Sequence, residues 1–297
     1  MTPPHWIALA GKAVLLALAM AMASGPGTPA HEGLDEQLRE ATRRIERAPG
    51  DASLRLARGE LHRARGSWAL ARADYAEAAR LDPRMEAVDL CLGLLHVQSG
   101  EPARAVAALD RFLARRPGHA DALIGRARAR AALDDAAGAL SDYDAGIAAY
   151  ADPARPQPEH YLERAGLAAK RGDIPRALRG LDEGLARLGN PVTLQMMAID
   201  LESARGAVHA ALARVDAILA AAGRKERWLK RRGEILERAG RRAEARAAYE
   251  DALAALATLP AGRRGSDAAR RLEEELRQAA RRLEDAPAQG APAEGTR

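Results

Sequence analysis

Residues 52–85 read ASLRLARGELHRARGSWALARADYAEAARLDPRM, and the fold is decided in this stretch. Gly66-Ser67 divides it into two segments of about 14 residues, Ala52–Arg65 and Trp68–Leu81, and Asp82-Pro83 closes it. Ala, Leu and Arg, all strong helix formers, fill both segments. The pattern predicts two helices joined by a tight turn. Its glycine is free to take the left-handed conformation with which a helix commonly ends.

The same unit recurs along the chain with a period of 34. Gly66, Gly100, Gly172, Gly206 and Gly240 fall in one column, with Asp134 in the remaining place, and one step is lengthened to 38. With 26 glycines in 297 residues, a random column of six would hold about half a glycine, so five of six is a real repeat. Five residues after each stands an alanine: Ala71, Ala105, Ala139, Ala177, Ala211 and Ala245. Seven before stands a small residue (Gly59, Gly93, Ala127, Ala165, Gly233), except for Ile199. Nine after stands a bulky one: Tyr75, Leu109, Tyr143, Leu181, Val215 and Tyr249. The small column lets paired helices approach, and the bulky column fills the space between units. One such pair cannot bury its own apolar face, so the units must stack. The four extra residues fall in Ala151–His160, where Pro153, Pro156 and Pro158 mark a longer loop.

These residues and spacings resemble the tetratricopeptide repeat family, the best unit running from Ser53 through Gly59, Gly66, Ala71 and Asp74-Tyr75 to Pro83. The resemblance implies an all-α, right-handed α-solenoid of about six helix-turn-helix repeats over 52–258, divided as 52–85, 86–119, 120–157, 158–191, 192–225 and 226–258. A half-repeat helix over 31–51 precedes them. A capping helix over 259–285, with Ser266 as its N-cap, follows, and residues 286–297 read as a disordered tail.

Composition agrees with a helical repeat array. Aromatic residues make up 3% of the chain, too few for a ring-packed core of this length, while 47% hydrophobic content excludes a disordered chain. A single cysteine excludes a disulfide framework within the chain and a four-cysteine zinc site. The net charge of +5 comes from arginines that alternate with acids, as in Arg43-Arg44-Ile45-Glu46-Arg47, which reads as an ion-paired helix surface. Residues 1–30 stand apart. Lys12 precedes the apolar run Ala13–Ala23, and Ala21-Met22-Ala23 is a small-x-small cleavage signature ahead of Ser-Gly-Pro-Gly. The expectation is a signal peptide cleaved after Ala23, or alternatively after Ala30, and a periplasmic or secreted product. An apolar run of eleven falls short of a bilayer core, and no cysteine near either position offers a lipid anchor.

No catalytic arrangement is legible. HExxH, GxSxG, GxxxxGK and GxGxxG strings are absent, and the seven histidines are scattered. His62 and His96 share a column and read as core positions, Cys91 as a small apolar filler, and Asp134-Asp135 and Asp142-Tyr-Asp144 as helix-end and surface acids. The chain is therefore expected to be a non-enzymatic scaffold without cofactor or metal.

The family's groove columns, carried by the first helix of each repeat, fall on Leu56, Leu90, Ile124, Leu162, Met196 and Lys230, and on Glu60, Leu94, Arg128, Gly166, Asp200 and Glu234. The groove is thus expected to have an apolar middle, with Cys91 and Met197 beside it, and to take a protein or peptide partner. Between Arg224 and Arg246, ten basic residues face four glutamates, a local net charge of +6. Arg227 and Arg231 stand where some family members carry the basic half of a carboxylate clamp. The matching Lys and Asn places hold Leu162, Gly166 and Met197, so the full clamp is absent. Arg227, Lys230 and Arg231 remain the candidates for an anion-preferring end, through which the chain could bind lipid, polysaccharide or an acidic peptide. Nucleic acid is disfavoured by the expected export and by the scarcity of aromatic stacking groups.

Overall fold

The structure, a computed structural model, describes residues 29–152 and 156–285. Apart from residues 29 and 30, the expected signal segment lies outside the described residues, and so does the expected tail over 286–297. Fifteen helices and no strand occupy what is described, and the chain divides into two compact units at His160 and Tyr161. The first contains α1 (Pro29–Arg47), α2 (Ala52–Ala64), α3 (Trp68–Leu81), α4 (Ala87–Gln98), α5 (Pro102–Arg115), α6 (Ala120–Ala132) and α7 (Ala136–Ala149). At the junction lies α8 (Pro158–Lys170). The second unit continues with α9 (Ile174–Leu188), α10 (Val192–Ala204), α11 (Val208–Ala221), α12 (Glu226–Arg238), α13 (Arg242–Ala257), the single turn α14 (Ala261–Arg264) and α15 (Asp267–Asp285). Ala30, the alternative cleavage position, falls in the first turn of α1. None of these helices is long and apolar enough to cross a membrane.

The turn column explains the period. Gly66, Gly100, Gly172, Gly206 and Gly240 all have φ between +73° and +81°, and Asp134 reaches φ 62° at the sixth place. Left-handed backbone is open to glycine without penalty and is tolerated by Asp. The small and bulky columns face each other across each pair. A Cβ built on Gly93 would lie 2.4 Å from Leu109 Cγ, and one on Gly59 or Gly233 would strike the ring of Tyr75 or Tyr249. Where the small column fails, at Ile199, the facing position is Val215, the smallest of the bulky set, and both are fully buried. Volume is conserved across the pair even though neither column keeps its type.

A second pattern is polar. Arg58 donates to both oxygens of Asp74 at 2.8 and 2.7 Å, joining α2 to α3. Arg126 does the same to Asp142 at 2.8 and 2.7 Å, joining α6 to α7, and Arg130 adds a bond of 2.9 Å. The repeat between them has Leu92 and Ala108 in these columns. In the second unit the sign reverses, with Arg214 of α11 donating to Glu202 of α10 at 2.9 Å. Asp142, expected to be a surface acid, is instead buried and held by two guanidiniums.

Each unit also has a terminal helix. In the first, α1 buries Leu38 and Ile45, and its Thr42 hydroxyl accepts from Arg58. In the second, α15 places Ala269, Leu276 and Ala279 in a cluster with Tyr249, Ala252 and Leu256. The Ser266 hydroxyl caps it, accepting from the amide of Ala269 at 3.3 Å.

Candidate functional site

In the first unit the expected groove row is largely core. Ile124 is 2% exposed, and its Cδ1 lies 2.9 Å from where a Cβ on Gly146 would stand, so it fills the space that glycine leaves on α7. Leu56, 9% exposed, packs among Ala71, Tyr75, Val88, Cys91 and Leu95. These two residues therefore do not line an open surface. Leu90, Leu94 and Arg128 are half-buried, with Leu94 leaning on α6 at Gly125.

Beside Leu56 lies a polar cluster that sequence reasoning missed. Glu60 accepts two bonds from Arg63, at 3.0 and 2.7 Å, and a short one from the Tyr75 hydroxyl. Arg63 is itself buried and reaches Gln98 of α4 at 2.9 Å. Burial pushes the Glu60 carboxyl up, but the Arg63 guanidinium outweighs it and holds the group below its ordinary range. Cys91 sits against this cluster, and burial first, then the Glu60 charge, raises its thiol well above the usual value. Such a thiol is a poor nucleophile. No residue type in this cluster is unusual for a helix surface, and only the stacking of α2 on α4 buries it.

His62 and His96 each stand beside a carboxylate of their own helix pair, His62 at 3.9 Å from Asp74 and His96 at 3.5 Å from Glu101. Burial lowers the pKa of both. Among the described residues no group of three His, Cys, Asp or Glu side chains is placed to hold a metal ion.

The second unit differs. On α10, Val192 is 54% and Met196 49% exposed, one helical turn apart on one face. Met197 and Leu162 beside them are half-buried, with Met197 Cε at 3.7 Å from the Cβ position of Gly166 on α8. Apolar surface is thus open here.

The three candidate cations separate. Arg231 pairs with Asp200 of α10 in a short contact and with Glu234 at 3.0 Å. Lys230 pairs with Glu275 of α15 at 2.5 Å. Arg227 is exposed and makes no ion pair among the described residues. Much of the remaining local charge is also compensated, through Arg224–Glu226, Arg232–Asp216, Arg241–Glu244 and the pairs of Arg246 with Glu250 and Glu284. The +6 counted along the sequence is therefore offset by carboxylates from α10, α11, α13 and α15 that lie outside the counted window.

Residues 91–156, spanning α4 to the loop after α7, match the model of the family described as "Tetratricopeptide repeat". Over these residues the chain carries tetratricopeptide repeats. Two solved structures show the same fold. One is a tetratricopeptide repeat protein from Parabacteroides merdae ATCC 43184, 15% identical with a TM-score of 0.50, the match covering 92% of this chain and all of that one. The other is PilW, described as a widely conserved type IV pilus biogenesis factor, also 15% identical, with a TM-score of 0.55 over 71% of this chain and 93% of its own. No curated protein sequence matches the chain. A tetratricopeptide-type repeat accounts for the turn column and for the facing small and bulky columns.

Proposed function

We propose that this tetratricopeptide-repeat chain is an exported, non-enzymatic scaffold that holds a protein partner against the first-helix surface of its repeats, in the cell envelope. The observation that carries the reading is the open pair Val192 and Met196, which stand one turn apart on one face of α10. Exposed apolar groups side by side on a rigid element mark a docking surface more often than isolated ones do. Met also suits adaptable contacts. Export rests on Lys12, the run Ala13–Ala23 and the Ala21-Met22-Ala23 signature.

The test is photo-crosslinking in the native host, with benzoylphenylalanine in place of Met196 and, as a control, in place of exposed Ala220. A discrete protein adduct specific to position 196 is expected, on a mature chain that begins at Ser24. No adduct at position 196 above the control would refute the scaffold reading. An unprocessed chain in the cytoplasmic fraction would refute export.

A further inference from the structure

The turns inside the helix pairs differ in charge between the two units. In the first unit, residues 98–104 and 132–138 carry one cation, Arg104, against Glu101, Asp134 and Asp135, a net −2. The matching turns of the second unit, residues 204–210 and 238–244, carry Arg205, Arg238, Arg241 and Arg242 against Glu244, a net +3. These two turns are neighbours. An open cleft of about 510 Å³ lies between them, lined by residues 206–210 on one side and by Ala239 and Arg241 on the other. The Glu244 carboxyl is held below its ordinary range by Arg241 first, then by Arg232 and His209, so His209 acts across from one turn to the other. Glu244 is engaged by Arg241 at 2.6 Å. The nearest acids along the chain are also held, Glu202 by Arg214 and Glu237 by the Tyr249 hydroxyl. Arg205 and Arg238 are exposed and Arg242 half-buried, and none of the three makes an ion pair among the described residues.

We infer that this turn edge of the second unit rests on an anionic lipid surface, its guanidiniums taking the headgroup phosphates. No Phe, Trp or Tyr stands in 204–210 or 238–244, and the only apolar residues there are alanines and Val208. Nucleic acid would find no ring to stack on, and a protein partner would find no large apolar anchor. A layer of phosphates needs neither, because each guanidinium near such a surface adds its own attraction. The edge lies at the opposite end of α10 from Val192, so the inference stands apart from the scaffold reading.

The test is sedimentation of the chain from Ser24 onwards, which contains every described helix, with vesicles of phosphatidylcholine alone or mixed with phosphatidylglycerol. Binding is expected to the mixed vesicles only, and to fade as salt screens the charges. Arg205→Gln, Arg238→Gln and Arg242→Gln should each weaken it ~5-fold, and the triple variant should lose nearly all of it. Arg227→Gln, which removes an exposed cation at the far end of α12, should change it little. The three edge arginines hold no ion pair among the described residues, so circular dichroism melts should match the parent. Equal binding to both kinds of vesicle, an equal loss from Arg227→Gln, or tighter capture of an oligonucleotide would each overturn the inference. So would release of the chain by inorganic phosphate where chloride of the same ionic strength leaves it bound, which would give the cleft to a free anion. None of these results bears on the crosslink at position 196.

Discussion

Replacing Gly93 with alanine ought to stabilise a helix, since alanine exceeds glycine by about 0.8–1 kcal/mol in a helix interior. In this chain it should do the reverse. The added Cβ would stand 2.4 Å from Leu109 Cγ and 2.6 Å from its Cδ2, well inside contact distance. Leu109 is fully buried, so a shift of its side chain must displace the packed neighbours around it. Overpacking of this kind costs about 1–3 kcal/mol, so the net loss should be near ~1 kcal/mol. Leu109→Val alone should lose about 1 kcal/mol for the methylene removed. The double variant copies the compensation of Ile199 with Val215, and should be more stable than the sum of the singles by ~1 kcal/mol. Urea titration followed by the fluorescence of Trp68, with Trp6 and Trp228 changed to Phe, reads the first unit. If Gly93→Ala proved stabilising, or if the two changes simply added, the interlock of small and bulky columns would be the wrong account of the pairing.

Three further outcomes follow. Asp142→Ala removes the shared acceptor of Arg126 and Arg130, leaving Arg126 with Asp110 at 2.6 Å and Arg130 with Asp135 at 3.8 Å, and should lose about 1–3 kcal/mol. Adding Arg126→Leu, which reproduces the Leu92 and Ala108 pairing of the preceding repeat, should recover most of this, and urea midpoints would show whether it does. Acid should weaken the first unit before its carboxylates titrate. His62, half-buried beside Asp74, Arg58 and Arg65, and His96, buried beside Glu101, Arg72 and Arg104, both have pKa values below the ordinary 6.5. Below that value the unfolded chain binds more protons than the folded one, so stability should fall as pH drops from about 7 to about 5. The slope should flatten when both are changed to Gln, and a stability that stayed level over this range in the parent chain would contradict the burial assigned to them. Finally, Cys91 should resist a thiol reagent in the folded chain and react once urea opens the first unit; prompt labelling without denaturant would contradict its placement.

What the sequence disclosed and what it hid follow from the physics of each feature. The turn column was legible because few residues accept a left-handed backbone, and the helix pairs because the packing columns are spaced by that turn. The groove row was read from spacing alone, and spacing does not distinguish Ile124, sunk against Gly146, from Met196, which meets water. The basic run over 224–246 was visible as a count, yet its partners Asp200, Glu275 and Glu284 come from helices distant in sequence. Asp142 read as a surface acid, with nothing in the sequence to tie it to Arg126, 16 residues earlier. Only the reversal of α6 into α7 brings them together and takes the acid out of water.

The alternation of these clasps also bears on how the array avoids mispairing. Stacked near-identical hairpins are prone to exchange, one second helix docking on the first helix of a neighbour. If α2 took α5 as its mate, Arg58 would meet Ala108 and Asp74 would be left without its guanidinium, two charged groups drawn from water with nothing opposite. The apolar repeat between the two clasped ones thus works as a spacer in a code, so that each hairpin is closed by a lock its neighbour cannot turn.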